Sequence, residues 1–390
     1  MRVLVLGTGR QGRAVIYDLA GSPVVGTVVC ADVEAAGAEA HLAGLASDKL
    51  QTLTVDAADD AALRRVFDRG FDVAIDMLPR QFAGPVATAA VDAGVSLVNT
   101  NYDHDLRGLA DPARRAGVAL LPEMGMDPGI DLVLCGEAVR RLDAVHELVS
   151  YGGGIPEPSA ADNPLRYKIS WTWEGVLNSY DRPARIVRDR RAVDVPRDRL
   201  FDERFCHTID VPGLGTLEAF PNGDAVAYAR RLGIDGTVEA AGRYALRWPG
   251  HCALWRALVG LGFLAQAPVP GLGNDVSPRR FLCEHLGPRL RYKPEERDLV
   301  VVRVQAEGIR DGRRCRVVFD LLDTKDPSTG LTAMSRTVGF AASIAAQMIA
   351  AGMIADRGLL SPAKHVPYAA FVGELKRRGI VVREREEAAS

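Results

Sequence analysis

The chain opens on an apolar run, Val3 Leu4 Val5 Leu6, of the kind buried on both faces of a parallel sheet. It feeds into Gly7 Thr8 Gly9 Arg10 Gln11 Gly12, then a helix-like segment, then a second apolar run that ends on Asp32. That order reads as strand, turn, helix, strand. The alternation continues with a helix over 34–46, a strand over 51–55, a helix over 60–68 and a strand over 73–76. A helix over 84–93, a strand over 96–99, a helix over 105–116 and a strand over 118–121 follow. About six strands interleaved with helices predict an α/β domain built on a doubly wound parallel sheet of the Rossmann type.

Beyond Leu121 the texture changes. A turn cluster over 122–129 precedes a helix over 130–141, and from His146 onward the apolar runs are short and irregularly spaced. Strand-like runs fall at 148–151, 185–187, 216–219, 244–248, 299–306 and 314–321, with helices at 252–264 and 278–286. This predicts a second, α+β domain. The expected division is 1–125 for the Rossmann domain, 126–334 for the α+β domain, and 335–390 for a helical segment returning to the first. The charged end, 383–390, is expected to fray. The uncharged run 338–355 reaches about the minimum length that spans a bilayer. Gly, Ala and Ser dominate it and Gln347 interrupts it, which predicts a helix packed closely on a sheet or a subunit partner instead.

Composition narrows the function class. With 390 residues, 47% hydrophobic and 25% charged, the chain is an ordinary globular protein of more than one domain. A formal net charge of −2 gives no electrostatic footprint for nucleic acid or a membrane surface. The six cysteines form no CxxC pair and the chain opens on a buried-type strand, so the expectation is reduced thiols in the cytoplasm. No HExxH or other close His/Cys set is present, and no metal is expected.

The opening motif carries chemistry. In a dinucleotide-binding crossover the first glycine, Gly7, permits a tight turn, Gly9 lets the backbone approach a pyrophosphate, and Gly12 lets helix and strand pack. Arg10 and Gln11 open the helix whose free amides would receive the phosphates. Asp32 lies about 20 residues beyond Gly12, where a carboxylate accepts hydrogen bonds from a ribose diol. Nothing basic follows it, which favours NAD over NADP. Asp56 after the third strand is placed beside the adenine, and Leu78 and Pro79 after the fourth lie at the carboxyl edge of the sheet, where ligands of open α/β folds bind. Asp127 either caps the helix that follows or serves the substrate site. No tyrosine is followed four residues later by lysine, which excludes the short-chain dehydrogenase pattern.

Several separated blocks carry a resemblance: Gly7 to Gly12, MetAspProGly at 126–129, GlyGlyGlyIlePro at 152–156, AsnProLeuArgTyrLys at 163–168 with Trp171, LeuArgTrpProGlyHis at 246–251, and ThrAlaMetSerArgThr at 332–337. In order and spacing the whole chain resembles the family of saccharopine reductases and lysine 6-dehydrogenases. The resemblance implies a nicotinamide-dependent oxidoreductase acting on a C–N bond of a small-molecule amino-acid substrate, in a homodimer or higher homo-oligomer. The C-terminal stretch points to oxidation of the ε-carbon of lysine, as in lysine 6-dehydrogenases. AspProGly at 127–129 points to the saccharopine branch, which joins or cleaves a secondary amine. A non-catalytic NAD-binding scaffold or sensor is the reading from a different class.

Within that resemblance Arg247, with Arg243 second, is expected to clamp a carboxylate, because a guanidinium offers a two-pronged donor. Trp171 and Gly153 are assigned to the substrate pocket. Asp127, Tyr102 and His251 are the candidate catalytic groups, His251 because its ordinary pKa allows proton exchange near neutrality.

Overall fold

The computed structural model describes residues 1–34, 44–45, 47–271 and 276–388. The chain divides into two compact units. Met1–Glu137 with Ser335–Val381 form the first, and Ala138–Met334 with Val382–Ser390 form the second.

In the first unit the apolar runs become strands β1 (Arg2–Leu6), β2 (Thr27–Asp32), β3 (Leu50–Thr54), β4 (Val73–Asp76), β5 (Ser96–Asn99) and β6 (Ala119–Leu121). The connecting helices are α1 (Arg10–Gly21), α2 (Asp60–Phe67), α3 (Ala83–Asp92) and α4 (Ala110–Arg115). All pairings in this sheet are parallel, in the order β3, β2, β1, β4, β5, β6. Chain order reverses between β1 and β4, the switch point at which such sheets bind ligands. The helix expected over 34–46 lies outside the described residues. The helix expected over 105–116 begins only at Ala110, after two short 3-10 turns, with Pro112 in its first turn. That place suits proline, whose missing amide would have had no partner there.

A seventh parallel strand, too short to read from the sequence, comes from the far end of the chain: Gly358–Leu359 pairs with β6. Before it runs Ala333–Ala350, the long helix rich in small residues, and after it helices at Pro362–His365 and Tyr368–Arg377. The small residues have a local reason. A Cβ added at Gly339 would lie 2.7 Å from the Ala14 Cβ and 2.9 Å from the Gln11 carbonyl oxygen, so this helix runs almost backbone to backbone with α1. Ser343 Oγ donates to Asp18 at 2.6 Å, and Arg378 grips the same carboxylate through two nitrogens, at 2.5 and 3.1 Å. Among the described residues no helix is long and apolar enough to cross a membrane.

The second unit is built on a mixed sheet with β7 (Ala144–Pro156) at its centre. After β7 come α5 (Trp173–Tyr180), the hairpin β8 (Ala184–Arg188) and β9 (Arg191–Val195), then β10 (His207–Val211) and β11 (Gly215–Pro221). Helix α6 (Ala225–Leu232) precedes β12 (Ala240–Arg247), and α7 (His251–Gly260) and α8 (Pro278–Leu286) precede β13 (Asp298–Arg310) and β14 (Arg313–Thr324). The helix expected over 252–264 thus stops at Gly260. β12 runs parallel to β7, and β13 antiparallel to it on the other side.

Two expectations are corrected here. The strand expected at 148–151 extends through GlyGlyGlyIlePro, because both flanks of β7 are paired and small residues are required: a Cβ at Gly153 would fall 2.8 Å from the Leu246 Cβ, and one at Gly154 2.3 Å from the Met334 Cε. The charged end does not fray as expected. Val382–Ala388 forms an edge strand of the second sheet, paired antiparallel with β14 from Leu321↔Val382 to Cys315↔Ala388.

Candidate functional site

The first unit presents a dinucleotide cradle. Gly7 has φ +92°, and a Cβ there would come 3.0 Å from the Met77 carbonyl carbon, so the β1 turn fits only glycine against the loop after β4. At Gly12 a Cβ would fall 2.0 Å from the Gly7 carbonyl oxygen. At Gly9 it would meet nothing within 4 Å, which leaves open space above the start of α1. No side chain caps that helix start, so its free amides stand ready for an anion. Arg10 is exposed and Gln11 half-buried on the first turn. These residues fit a pyrophosphate.

Asp32 ends β2. Its Oδ2 accepts the Thr8 amide at 2.6 Å and the Thr8 hydroxyl at 2.7 Å, and its Oδ1 accepts the Glu34 amide at 3.2 Å. Partial burial works against the charge, but the Thr8 bonds and the Glu34 and Val33 amides outweigh it and hold the carboxyl below its ordinary value. Asp56 is exposed, and its Oδ1 takes the Ala58 amide at 2.8 Å, so it shapes the turn before α2. Leu78 is half-buried and Pro79 exposed in the loop after β4.

That loop is pinned from below by a residue the sequence reading passed over. Asp76, 0% exposed, accepts the Leu78 amide at 2.9 Å through Oδ1, while its Oδ2 makes no protein hydrogen bond. Burial pushes its pKa up to about 7, with the Leu78 bond pulling the other way. Its partner in the β4–β5 register is Asn99, whose Oδ1 likewise takes the amide two residues on, Asn101 N, at 3.1 Å. A carboxylate closing an apolar strand was the available signal. Tyr102 follows, half-buried, with its ring stacked on His104 at 6.1 Å. Asp127 is half-buried in a tight turn joined by a cis peptide to Pro128 and closed by the Gly125 amide on the Pro128 carbonyl at 2.9 Å.

The second unit holds the other candidates. Arg247, at the end of β12, is 6% exposed. Its Nε donates to the Tyr180 hydroxyl at 3.1 Å and its Nη1 to the Leu246 carbonyl at 2.8 Å. The rings of Tyr167, Tyr180 and Phe220 stand 4.9, 5.8 and 5.7 Å from the guanidinium carbon. Every hydrogen-bond partner it has among the described residues is neutral. The aromatic wall was not readable beforehand, because Tyr180 and Arg247 are 67 residues apart and belong to no shared motif.

His251, 1% exposed at the start of α7, bonds the Tyr180 hydroxyl through Nε2 at 2.8 Å and the Leu165 carbonyl through Nδ1 at 3.1 Å. Burial first, then the Arg247 charge, push its pKa down to about 3 against the Leu165 bond. Arg243, 5% exposed, lies over the Tyr228 ring at 4.4 Å. Trp171 is 41% exposed with its ring over Gly175, and Gly153 is buried in the sheet against Leu246. The structure therefore brings His251 to Arg247 through the Tyr180 hydroxyl that both contact. Among the described residues no group of His, Cys, Asp or Glu could hold a metal ion.

Comparison with known proteins agrees with both halves. Residues 3–121 match the profile of the saccharopine dehydrogenase NADP binding domain, and residues 125–380 match that of the saccharopine dehydrogenase C-terminal domain. The chain belongs to the saccharopine dehydrogenase family. Its first domain is accordingly one that binds a nicotinamide dinucleotide. Mitochondrial alpha-aminoadipic semialdehyde synthase of Rattus norvegicus is 28% identical over 80% of this chain and 40% of its own length, so the chain spans two fifths of such relatives. Saccharopine dehydrogenase [NADP(+), L-glutamate-forming] of Pyricularia oryzae is 27% identical, with 98% of each chain covered. The solved apo saccharopine dehydrogenase (L-Glu forming) of Saccharomyces cerevisiae superposes with a TM-score of 0.85 at 25% identity, covering 99% of this chain and 100% of that one.

Proposed function

We propose that this protein is a nicotinamide-dependent dehydrogenase that oxidises a C–N bond of an amino acid, with a saccharopine-type secondary amine as its substrate. The observation that carries the reading is Arg247. A guanidinium buried to this degree among neutral partners bears a large desolvation cost, and an incoming carboxylate relieves it. The full-length similarity to saccharopine dehydrogenases supports the secondary amine. Oxidation of lysine itself, to which the C-terminal stretch points, is the second reading.

When bound, the nicotinamide ring supplies a two-electron hydride acceptor. The amides at the start of α1 would hold its pyrophosphate, and Asp32 would accept the hydroxyls of its adenosine ribose. Arg247 is proposed to hold the substrate carboxylate, the positional part of catalysis. Loss of hydride requires the substrate nitrogen to be a neutral amine, and Asp127 is proposed to take its proton on a carboxylate oxygen. The C=N product then adds water and splits into an aldehyde and an amine. Tyr102 is proposed as a hydrogen-bonding group for the substrate.

The choice of dinucleotide pulls two ways. The profile and the fungal relatives carry NADP in their names, against the sequence expectation of NAD. The chain's own residues support NAD: Asp32 and Glu34 are acidic, the sequence has no Lys or Arg from 33 to 48, and the Lys49 ammonium donates to the Ala20 and Ser22 carbonyls at 3.0 and 2.8 Å. A 2′-phosphate placed there meets like charge. We therefore propose NAD for this chain.

The test is reduction of NAD and of NADP, followed by absorbance, with L-saccharopine, L-lysine and L-ornithine. Reduction of NAD with saccharopine is expected. Reduction with lysine alone selects the second reading, better turnover with NADP overturns the assignment at Asp32, and nucleotide binding without reduction of either supports a scaffold. Arg247→Ala is expected to raise the substrate KM about ten- to a hundredfold, the worth of a charge-assisted hydrogen bond.

A further inference from the structure

Arg247 does not stand alone, and its neighbours set which way its donors point. We infer that Tyr180 and His251 are positioning residues that orient the Arg247 guanidinium for the substrate carboxylate, through a one-way hydrogen-bond chain from Arg247 Nε to Tyr180 to His251 to the Leu165 carbonyl. This rests on the reading of Arg247 as the carboxylate receptor.

The direction of the chain follows from donor chemistry. An arginine Nε carries a hydrogen and accepts none, so the 3.1 Å contact has the Tyr180 hydroxyl oxygen as acceptor. The single phenolic hydrogen is then free for His251 Nε2 at 2.8 Å, which must be unprotonated to receive it. The ring hydrogen of the neutral imidazole therefore sits on Nδ1, where the Leu165 carbonyl accepts it at 3.1 Å. The opposite tautomer would set an Nδ1 lone pair against a carbonyl oxygen, so only one arrangement satisfies every atom. A charged ring would place a second cation beside Arg247, and burial disfavours it in the same direction.

The network fixes two sides of the guanidinium, Nε by Tyr180 and Nη1 by Leu246 O. Tyr180 is fixed in turn by edge-on packing against Trp255 at 4.7 Å and Phe201 at 5.2 Å. What remains for an anion is the second Nη1 hydrogen and the two on Nη2, on a guanidinium held by its other two donors. Pre-orientation of this kind lowers the ordering cost of binding and leaves the chemical step untouched. His251, expected from the sequence to exchange protons with substrate, here has both nitrogens committed inside the protein.

The test uses the full chain with its dinucleotide and two probes, L-lysine and its carboxyl-free analogue cadaverine, with binding measured by calorimetry. The variants are Arg247→Ala, Tyr180→Phe and His251→Gln. Tyr180→Phe removes one oxygen and keeps the ring packing. The wild type is expected to prefer lysine to cadaverine, Arg247→Ala to erase that preference, and Tyr180→Phe and His251→Gln each to shrink it about tenfold with cadaverine affinity unchanged. A wild type without the preference, or an Arg247→Ala protein that keeps it, overturns the carboxylate reading itself. If Arg247→Ala erases the preference while Tyr180→Phe and His251→Gln keep it whole, only the positioning chain falls. A merely structural role for Tyr180 would weaken both probes alike.

Discussion

Single residues in this protein show how burial, more than residue type, decides chemistry. Asp76 is a carboxyl with no exposed surface, one amide to hold it and a pKa pushed up to about 7. In the unfolded chain it titrates near ~3.9. From about pH 4 to about pH 7 the folded protein keeps a proton that the unfolded chain releases, so this group's contribution to stability falls as pH rises through that window. Asp76→Asn keeps an acceptor for the Leu78 amide and cannot ionise. The variant is expected to exceed the wild type in stability above pH 7 by about 1–4 kcal/mol, with the gain vanishing toward pH 4. Urea unfolding at both pH values checks it, and a difference independent of pH would show that Asp76 is not the titrating group. At this scale the sequence was legible where a motif spoke, as for Gly7, Gly12 and Asp32. It was silent on Asp76, Thr8 and Tyr180, whose roles arise from neighbours distant in the chain.

At the scale of elements, hydrophobic periodicity predicted nearly every strand of the first sheet, because a parallel strand buried on both faces writes itself as an unbroken apolar run. It failed where pairing, not side-chain pattern, makes the strand. The terminal edge strand alternates Arg383, Glu384, Arg385 and Glu386, which reads as a solvated tail, and it is held by its backbone ladder to β14. The small-residue helix was legible as a packing element but not in its partner, α1. That contact yields a paired prediction. Gly339→Ala pushes a methyl against Ala14 and the Gln11 backbone and is expected to cost about 1–3 kcal/mol. Since Gln11 belongs to the first turn of α1, the KM for the dinucleotide should rise with it. Gly373 sits in the helix Tyr368–Arg377 with nothing within 4 Å of an added Cβ, and Gly373→Ala is expected to stabilise by about 0.5–1 kcal/mol. Thermal melts and dinucleotide titrations of the two variants separate helix propensity from crowding.

At the scale of the whole molecule, chain order and architecture part company. The segment after Met334 supplies a long helix and a seventh strand to the first unit, then returns at Val382 to finish the sheet of the second. The division read along the sequence has 335–390 return to the first domain as a helical segment, but contains neither the seventh strand nor the final crossing to the second sheet, since neither a two-residue strand nor a charged edge strand carries an apolar signature. The terminal strand is attached by its ladder to β14 and by ion pairs of Arg141 with Glu384 at 2.9 Å, Arg310 with Glu386 at 2.8 Å and Arg385 with Asp320 at 3.1 Å. These pairs are partly exposed at the surface, and each is worth only ~0–1 kcal/mol. The ladder matters more, because its loss bares the whole edge of β14, including Val317 and Phe319, to any strand that can pair with it. Truncation after Val381 is therefore expected to lower the melting midpoint by several degrees and to cause concentration-dependent association, seen by light scattering. The dinucleotide residues all belong to the first unit, so affinity for the cofactor in the monomeric fraction should be unchanged. A truncated protein that melts like the full chain and stays dispersed would show that the strand is an ornament of the sheet and not its protective edge.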